Sequence, residues 1–118
     1  MSNKITKLNL IQLEQAVRRA AFPADRQIGC FTAGLDVPYE IADDIDNWCG
    51  WVLGSRDVLL SNEQRSSLSS LNAQLDEMSG EQHSDLWTED ALRRSPEWDN
   101  VRREARKILN LFGWAIDE

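Results

Sequence analysis

Apolar residues recur at intervals of three and four along most of this chain, which is the spacing of a helix with one buried face. The first run predicts a helix from about Leu8 to Ala21, ended by Pro23. Its apolar face comprises Leu8, Leu10, Ile11, Leu13, Val17 and Ala20. Because Leu8 and Ile11 widen this face, we expect the helix to lie at the centre of the fold.

No helical period is visible between residues 24 and 37, so we expect an irregular loop or a short strand there. A second helix is predicted from about Asp36 to Leu53. Pro38 is preorganised for its first turn, and Gly54 follows its last apolar position. The buried stripe predicted for this helix comprises Ile41, Ile45, Trp48 and Val52.

The clearest helical segment follows a short apolar bridge at residues 58–60. Ser61 and Gln64 form the pattern of a capping box, and the predicted helix runs on until Gly80 stops it. Its buried positions are Leu68, Leu71, Leu75 and Met78.

A polar loop is predicted at residues 79–85, followed by a short helix from Thr88 to about Arg94. Ser95 and Pro96 then begin the last helix, since a serine cap followed by proline is a common start. Gly113 ends that helix, and we expect the tail with Trp114 and Ile116 to pack back on the bundle. The tryptophans expected in the core are Trp48, Trp87, Trp98 and Trp114.

These segments together predict an all-α fold, a single-domain bundle of four to five helices with one irregular loop around residues 24–37. With 118 residues the chain is long enough for one core and too short for two. Hydrophobic residues make up 42 % and charged residues 28 %, a balance typical of a folded globular protein. We therefore expect one helical domain over residues 1–118.

Polar residues interrupt the N-terminal segment, so neither an apolar signal-peptide core nor a membrane span of about 20 residues fits there. We expect a cytoplasmic protein that makes no membrane contact. Cys30 and Cys49 are too few for a secreted disulfide scaffold, and we expect reduced, partly buried thiols.

Acidic residues are concentrated in the middle of this chain, which has a net charge of -7. Thirteen of its twenty acids lie between Asp36 and Asp90, beside only two arginines. On the second predicted helix, several of these acids and one tryptophan are spaced away from the buried stripe. This acidic face, the candidate partner-binding site, comprises Glu40, Asp43, Asp44, Asp46, Asn47 and Trp51. It is either a solvated helix face or a docking surface on which carboxylates steer a basic protein and Trp51 anchors it.

No catalytic, cofactor or metal site is predicted. His83 is the only histidine, it lies in a polar loop, and no serine has the GxSxG context of a hydrolase nucleophile. Cys30, Cys49 and His83 are not spaced like zinc ligands, and the aspartates of the acidic face lack the glycine and final glutamate of a calcium loop. No glycine-rich loop ends in the GK[ST] of a phosphate site.

A basic strip near the C-terminus is the one candidate for nucleic-acid contact. It comprises Arg102, Arg103, Arg106 and Lys107, with Arg93 and Arg94 nearby. Cations near a helix C-terminus are also explained by the helix dipole, and Asp99 and Glu104 can pair with them. Because the net acidity disfavours a polyanion, we expect no direct binding to nucleic acid.

The stretches NEQRSSLSSLNAQLDEM and SPEWDNVRREARKILNLFGW are helical building blocks of a small acidic chain. In its size and its concentration of acid, the chain resembles small acidic bacterial immunity proteins. These include the immunity proteins of contact-dependent growth inhibition systems, which neutralise a toxin made by neighbouring cells. The resemblance implies a non-enzymatic binding protein with a toxin as its partner, and it assigns no role to individual residues.

Our leading hypothesis is that the acidic face covers the substrate-binding surface of a basic toxin, foremost a nuclease, whose cleft is built to hold phosphates. Two alternatives stay open. One is a helical regulatory or structural module that self-associates through apolar surface on the first helix or the Trp114 tail. The other is an inhibitor that mimics DNA. The sequence leaves the choice between monomer and homodimer undetermined.

Overall fold

The computed structural model describes residues 2–56 and 58–115, with side chains from Lys7 onward. Within these ranges the secondary structure is entirely helical, which confirms the all-α prediction. None of the helices described is long and apolar enough to cross a membrane. In chain order the elements are α1 (Ser2–Ala21), α2 (Ala24–Gly29), α3 (Val37–Gly54), α4 (Asn62–Glu77), a 3₁₀ helix (Glu81–Leu86), α5 (Glu89–Arg94) and α6 (Pro96–Leu111).

Four long helices form a ring around one core. Going around it, α1 packs against α3, α3 against α4, α4 against α6, and α6 against α1. α1 is therefore one wall of the bundle rather than its centre, which corrects the prediction from its wide apolar face. Leu8 and Ile11, which were expected to widen the buried face, are 54 % and 51 % exposed. The helix also begins at Ser2, earlier than the predicted start near Leu8.

A short helix replaces the first part of the loop predicted around residues 24–37. α2 has only six residues, too few to show a hydrophobic period in the sequence. Its first turn is closed by the Gln27 N–H, which donates to the Pro23 carbonyl at 2.9 Å. The irregular segment is thereby reduced to residues 30–36, where Gly34 adopts a φ of 95°.

The capping box at the start of α4 is confirmed. The Gln64 N–H donates to the Ser61 hydroxyl at 3.0 Å, and the Ser61 N–H donates to the Gln64 side-chain carbonyl at 2.9 Å. The side-chain amide nitrogen of Gln64 donates to the Leu111 carbonyl at 3.1 Å. The cap therefore also joins the start of α4 to the end of α6.

The ends of α5 and α6 also follow the sequence. The hydroxyls of Thr88 and Ser95 accept the N-terminal amides of α5 and α6 as predicted. Gly113 has a φ of 71° and closes α6, because this left-handed conformation lets the Trp114 N–H reach the Leu109 carbonyl at 2.9 Å. The polar loop expected at residues 79–85 is wrong in part, since Glu81–Leu86 forms the 3₁₀ helix.

Two of the four tryptophans expected in the core are buried there. Trp98 is fully buried and donates from its indole nitrogen to the Leu86 carbonyl at 2.6 Å. Trp87 lies edge-on to it, with 5.4 Å between ring centroids, and donates to the Met78 carbonyl at 2.7 Å. Trp48 and Trp114 only pack partly buried against the core, and Ile116 of the predicted tail lies outside the described residues.

Candidate functional site

α3 turns one side to the core and the opposite side outward. Its buried residues include Ile41, Ile45 and Val52 of the predicted stripe, while Cys49 rather than Trp48 completes the fully buried set. The outward side carries most of the acidic face. Asp43, Asp46 and Asn47 are exposed, Glu40 is half-buried, and Trp51 is 57 % exposed.

Asp44 forms an ion pair between two helices and is less exposed than Asp43 and Asp46 of the outward surface. Nη2 of Arg19 on α1 lies 3.2 Å from Oδ2 of Asp44 on α3, and both side chains are half-buried. A cation of the same molecule therefore neutralises this carboxylate. The structure thus separates Asp44 from the other members of the predicted site.

A groove between α3 and α4 collects three carboxylates. Asp43 and Asp46 line it from α3, Asp76 lines it from α4, and its volume is about 510 Å³. The rest of the lining is mixed, with polar side chains such as Ser69 and Asn72 and two leucines, Leu53 and Leu75. No ion pair within the described residues involves any of the three carboxylates. Three carboxylates without an ion pair therefore line one open groove.

Asp76 is the residue that sequence reasoning missed at this site. Asp76 is exposed and follows the buried position Leu75 on α4. Its position in the sequence is therefore typical of an ordinary solvent-exposed acid. Its only signal is its membership of the acid-rich middle segment. Helical spacing groups residues within one helix, and only the packing of α3 on α4 brings Asp76 to Asp43 and Asp46.

Pairing is distributed unevenly between the two signs of charge. Among the described acids from Asp36 to Asp90, only Asp44 and Asp90 form ion pairs. The side chains of the basic strip, in contrast, all make contacts within the molecule. Its contacts are Arg93 with Asp25, Arg94 with Asp90, Arg102 with Asp99, Arg103 with Asn100, Arg106 with the Ala21 carbonyl, and Lys107 with Glu104.

The other chemistry-bearing side chains are dispersed. His83 lines a second groove, of about 600 Å³, between α4, the 3₁₀ helix and the start of α6, with Glu77 and Glu97. In the part of the chain that the structure describes, no three side chains of His, Cys, Asp or Glu are placed so that they could hold one metal ion together, and this includes the three carboxylates of the groove. Cys30 is exposed and Cys49 is buried, and both are free thiols. The expectation of partly buried thiols was therefore wrong for each, in opposite directions.

The two thiols should differ sharply in reactivity. Burial, followed by the negative charge of Asp46, raises the pKa of the Cys49 thiol from 9.0 to about 12. At about pH 8, we expect a thiol reagent such as DTNB to react promptly with Cys30 alone in the folded protein. Both thiols should react once urea has unfolded it.

Two controls accompany this measurement. Cys30→Ser should leave the folded protein without a promptly reacting thiol, and two prompt thiols in the native protein would contradict the burial of Cys49. Because the pKa of Cys49 in the fold lies above its value in the unfolded chain, the unfolded chain loses this proton first. The free energy of unfolding is therefore unaffected by this group below pH 9, and it decreases as the pH rises from 9 toward about 12.

The outward side of α3 and the groove beside it together form the candidate site. Comparisons of the chain with protein-family models, with curated proteins and with solved structures found no match. What the site does must therefore be inferred from its own residues: unpaired carboxylates on two helices and a half-exposed tryptophan.

Proposed function

We propose that this chain is an immunity protein, a non-enzymatic inhibitor that binds a basic toxin and covers its substrate-binding surface. The observation that carries the proposal is the groove lined by Asp43, Asp46 and Asp76, none of which forms an ion pair among the described residues. Neighbouring like charges repel one another, so a cationic partner gains more there than at an isolated acid.

A nuclease domain is the partner class that fits best. An enzyme that binds a polyanion presents clustered lysines and arginines, and those clusters attract a carboxylate-lined surface at long range. An arginine in the groove would find acceptors on both walls, since its guanidinium carries five donors in a planar fork. Substrate phosphates and the inhibitor's carboxylates then compete for the same cations.

Trp51 supplies the apolar part of the proposed contact. It is exposed on the outward side of α3, four residues beyond Asn47 and therefore one turn along the same side. Tryptophan is among the residues that most often dominate binding energy when a partner buries them. We expect the carboxylates to raise the association rate and Trp51 to lower the dissociation rate.

The test uses a panel of purified basic nuclease toxin domains from contact-dependent growth inhibition systems. At least one domain should lose nucleic-acid cleavage when the protein is added in equimolar amount. We expect the association rate to fall at least about tenfold between low salt and a few hundred millimolar salt. The double variant Asp43→Lys/Asp46→Lys should abolish inhibition, while circular dichroism shows an unchanged fold.

The matched control is Glu81→Lys/Asp85→Lys, which raises the net charge equally but alters exposed acids of the 3₁₀ helix. It should retain inhibition. Equal loss in both double variants would show that net charge alone matters and would refute the proposed site. An association rate indifferent to salt would refute charge complementarity. Inhibition of many unrelated DNA-binding proteins would favour the DNA mimic over a dedicated immunity protein.

A further inference from the structure

The outward face of α1 carries a second surface, which is apolar, whereas the other exposed side chains described on this helix are polar or charged. Leu8 and Ile11 are about half exposed, and Leu59, in the segment between α3 and α4, is 95 % exposed. Ile11 and Leu59 line one groove of about 330 Å³. The other apolar residues of that groove are Leu10, Val58, Leu60, Phe112 and Trp114. Contiguous exposed apolar surface of this kind is typical of an interaction site.

The charges on this face are arranged on either side of Ile11. Lys7, Ile11, Glu14 and Arg18 are spaced by four, three and four residues, so they share one stripe of α1. Arg18 is held within the molecule, because it pairs with Glu14 at 2.8 Å and donates to the Ala115 carbonyl. Among the described residues of this stripe, the charges that a second molecule can reach are therefore Lys7 before Ile11 and, after it, the Glu14 carboxylate, which shares its charge with Arg18 and keeps 26 % of its side chain exposed.

We propose that this face binds a second copy of the chain, with the two α1 helices antiparallel across a two-fold axis at Ile11. In that arrangement Lys7 comes level with Gln15 of the second copy, one residue and about 1.5 Å of helix rise from its Glu14. The symmetry makes the same pair twice. Along α1 the order is a cation, an apolar residue and an anion. When a second copy runs in the opposite direction, its anion lies beside the cation of the first copy, and its cation lies beside the anion.

Apolar burial and the position of the acids support the same contact. Ile11 faces its own copy at the axis, and Leu59, which lines the groove beside it, extends the apolar area that the second copy covers. α4 lies across the ring from α1. Asp43, Asp46 and Asp76 line the groove between α3 and α4 and not the groove beside Ile11, so these acids do not oppose the contact.

Sedimentation velocity of the full chain, at concentrations up to about 1 mM, tests the contact. The native protein should approach the mass of a dimer as concentration rises. Ile11→Asp and, separately, Leu59→Ser should return it to a monomer with unchanged helicity. Leu35→Asp replaces an exposed leucine outside this face and should leave the dimer intact.

Charge exchange tests the antiparallel register. Lys7→Glu alone and Glu14→Lys alone should each raise the dimer dissociation constant about fivefold, because two symmetric pairs become repulsive. Combining the two substitutions should bring the dissociation constant below that of either single variant, with the remaining difference from the native value due to the lost Glu14–Arg18 pair. A monomer at the highest concentration would overturn the dimer, and a double variant no better than the single ones would overturn its register. Ile11→Asp should still inhibit the toxin, so failure here is distinguishable from failure of the immunity proposal.

Discussion

Replacing Trp98 with alanine should lower the free energy of unfolding by about 4 kcal/mol. The side chain is fully buried, its indole nitrogen donates to the Leu86 carbonyl, and Trp87 packs edge-on against it. Truncation leaves a large cavity and an unpaired carbonyl. A domain of this size is commonly stable by about 5–15 kcal/mol, so the variant should unfold at much lower urea concentrations.

Trp51→Ala is the matched control, because it makes the same substitution at an exposed position on α3. We expect it to change the free energy of unfolding by less than about 1 kcal/mol. Under the proposed function, the same variant should weaken toxin binding by about 2 kcal/mol or more, as expected for a tryptophan that a partner buries. Equal losses of stability in the two variants would contradict the burial of Trp98 and the exposure of Trp51.

Gln27→Leu should lower the free energy of unfolding by about 3 kcal/mol, although leucine has a similar size and no polar group to bury. Gln27 is fully buried, and its amide nitrogen donates to the Arg19 carbonyl at 3.0 Å and to the Ala20 carbonyl at 3.1 Å. Its side-chain oxygen accepts a hydrogen bond from Arg102 at 2.9 Å. The substitution leaves two carbonyls at the end of α1 and an arginine donor without these partners.

Urea unfolding of a double-mutant cycle checks this interpretation. Arg102→Leu combined with Gln27→Leu should cost less than the sum of the single substitutions, because one shared hydrogen bond is counted in both. Gln12→Leu, an exposed glutamine on α1, should change stability by less than about 0.5 kcal/mol. Strict additivity in the cycle, or an effect of Gln27→Leu no larger than that of Gln12→Leu, would refute the role assigned to Gln27.

This buried glutamine also bears on the candidate site. It holds the carbonyl of Arg19, and the guanidinium of Arg19 pairs with Asp44. The end of α1 thereby helps to determine which carboxylates of α3 are neutralised within the molecule. Asp43 and Asp46, which point to the α4 side, receive no such cation among the residues described.

Prediction from sequence succeeded where one local signal was sufficient. The starts of α4, α5 and α6 were marked by hydroxyl caps, and the end of α6 by Gly113. Each of these signals acts through hydrogen bonds within a few residues of itself. α2 and the 3₁₀ helix were missed because six residues are too few for a hydrophobic period. α2 is further tied down by Gln27, whose partners lie on α1 and α6.

Spacing along single helices was enough to predict the all-α class, the four long helices and most of the buried stripe of α3. It left open whether Trp51 is exposed, which depends on how α3 packs. How the charges are shared depends on the packing of the helices. That packing paired Asp44 with Arg19, placed Asp76 in one groove with Asp43 and Asp46, and left Leu8 and Ile11 exposed. The physical reason is that helical periodicity defines the face of a residue, whereas its partner depends on which other helix packs beside it.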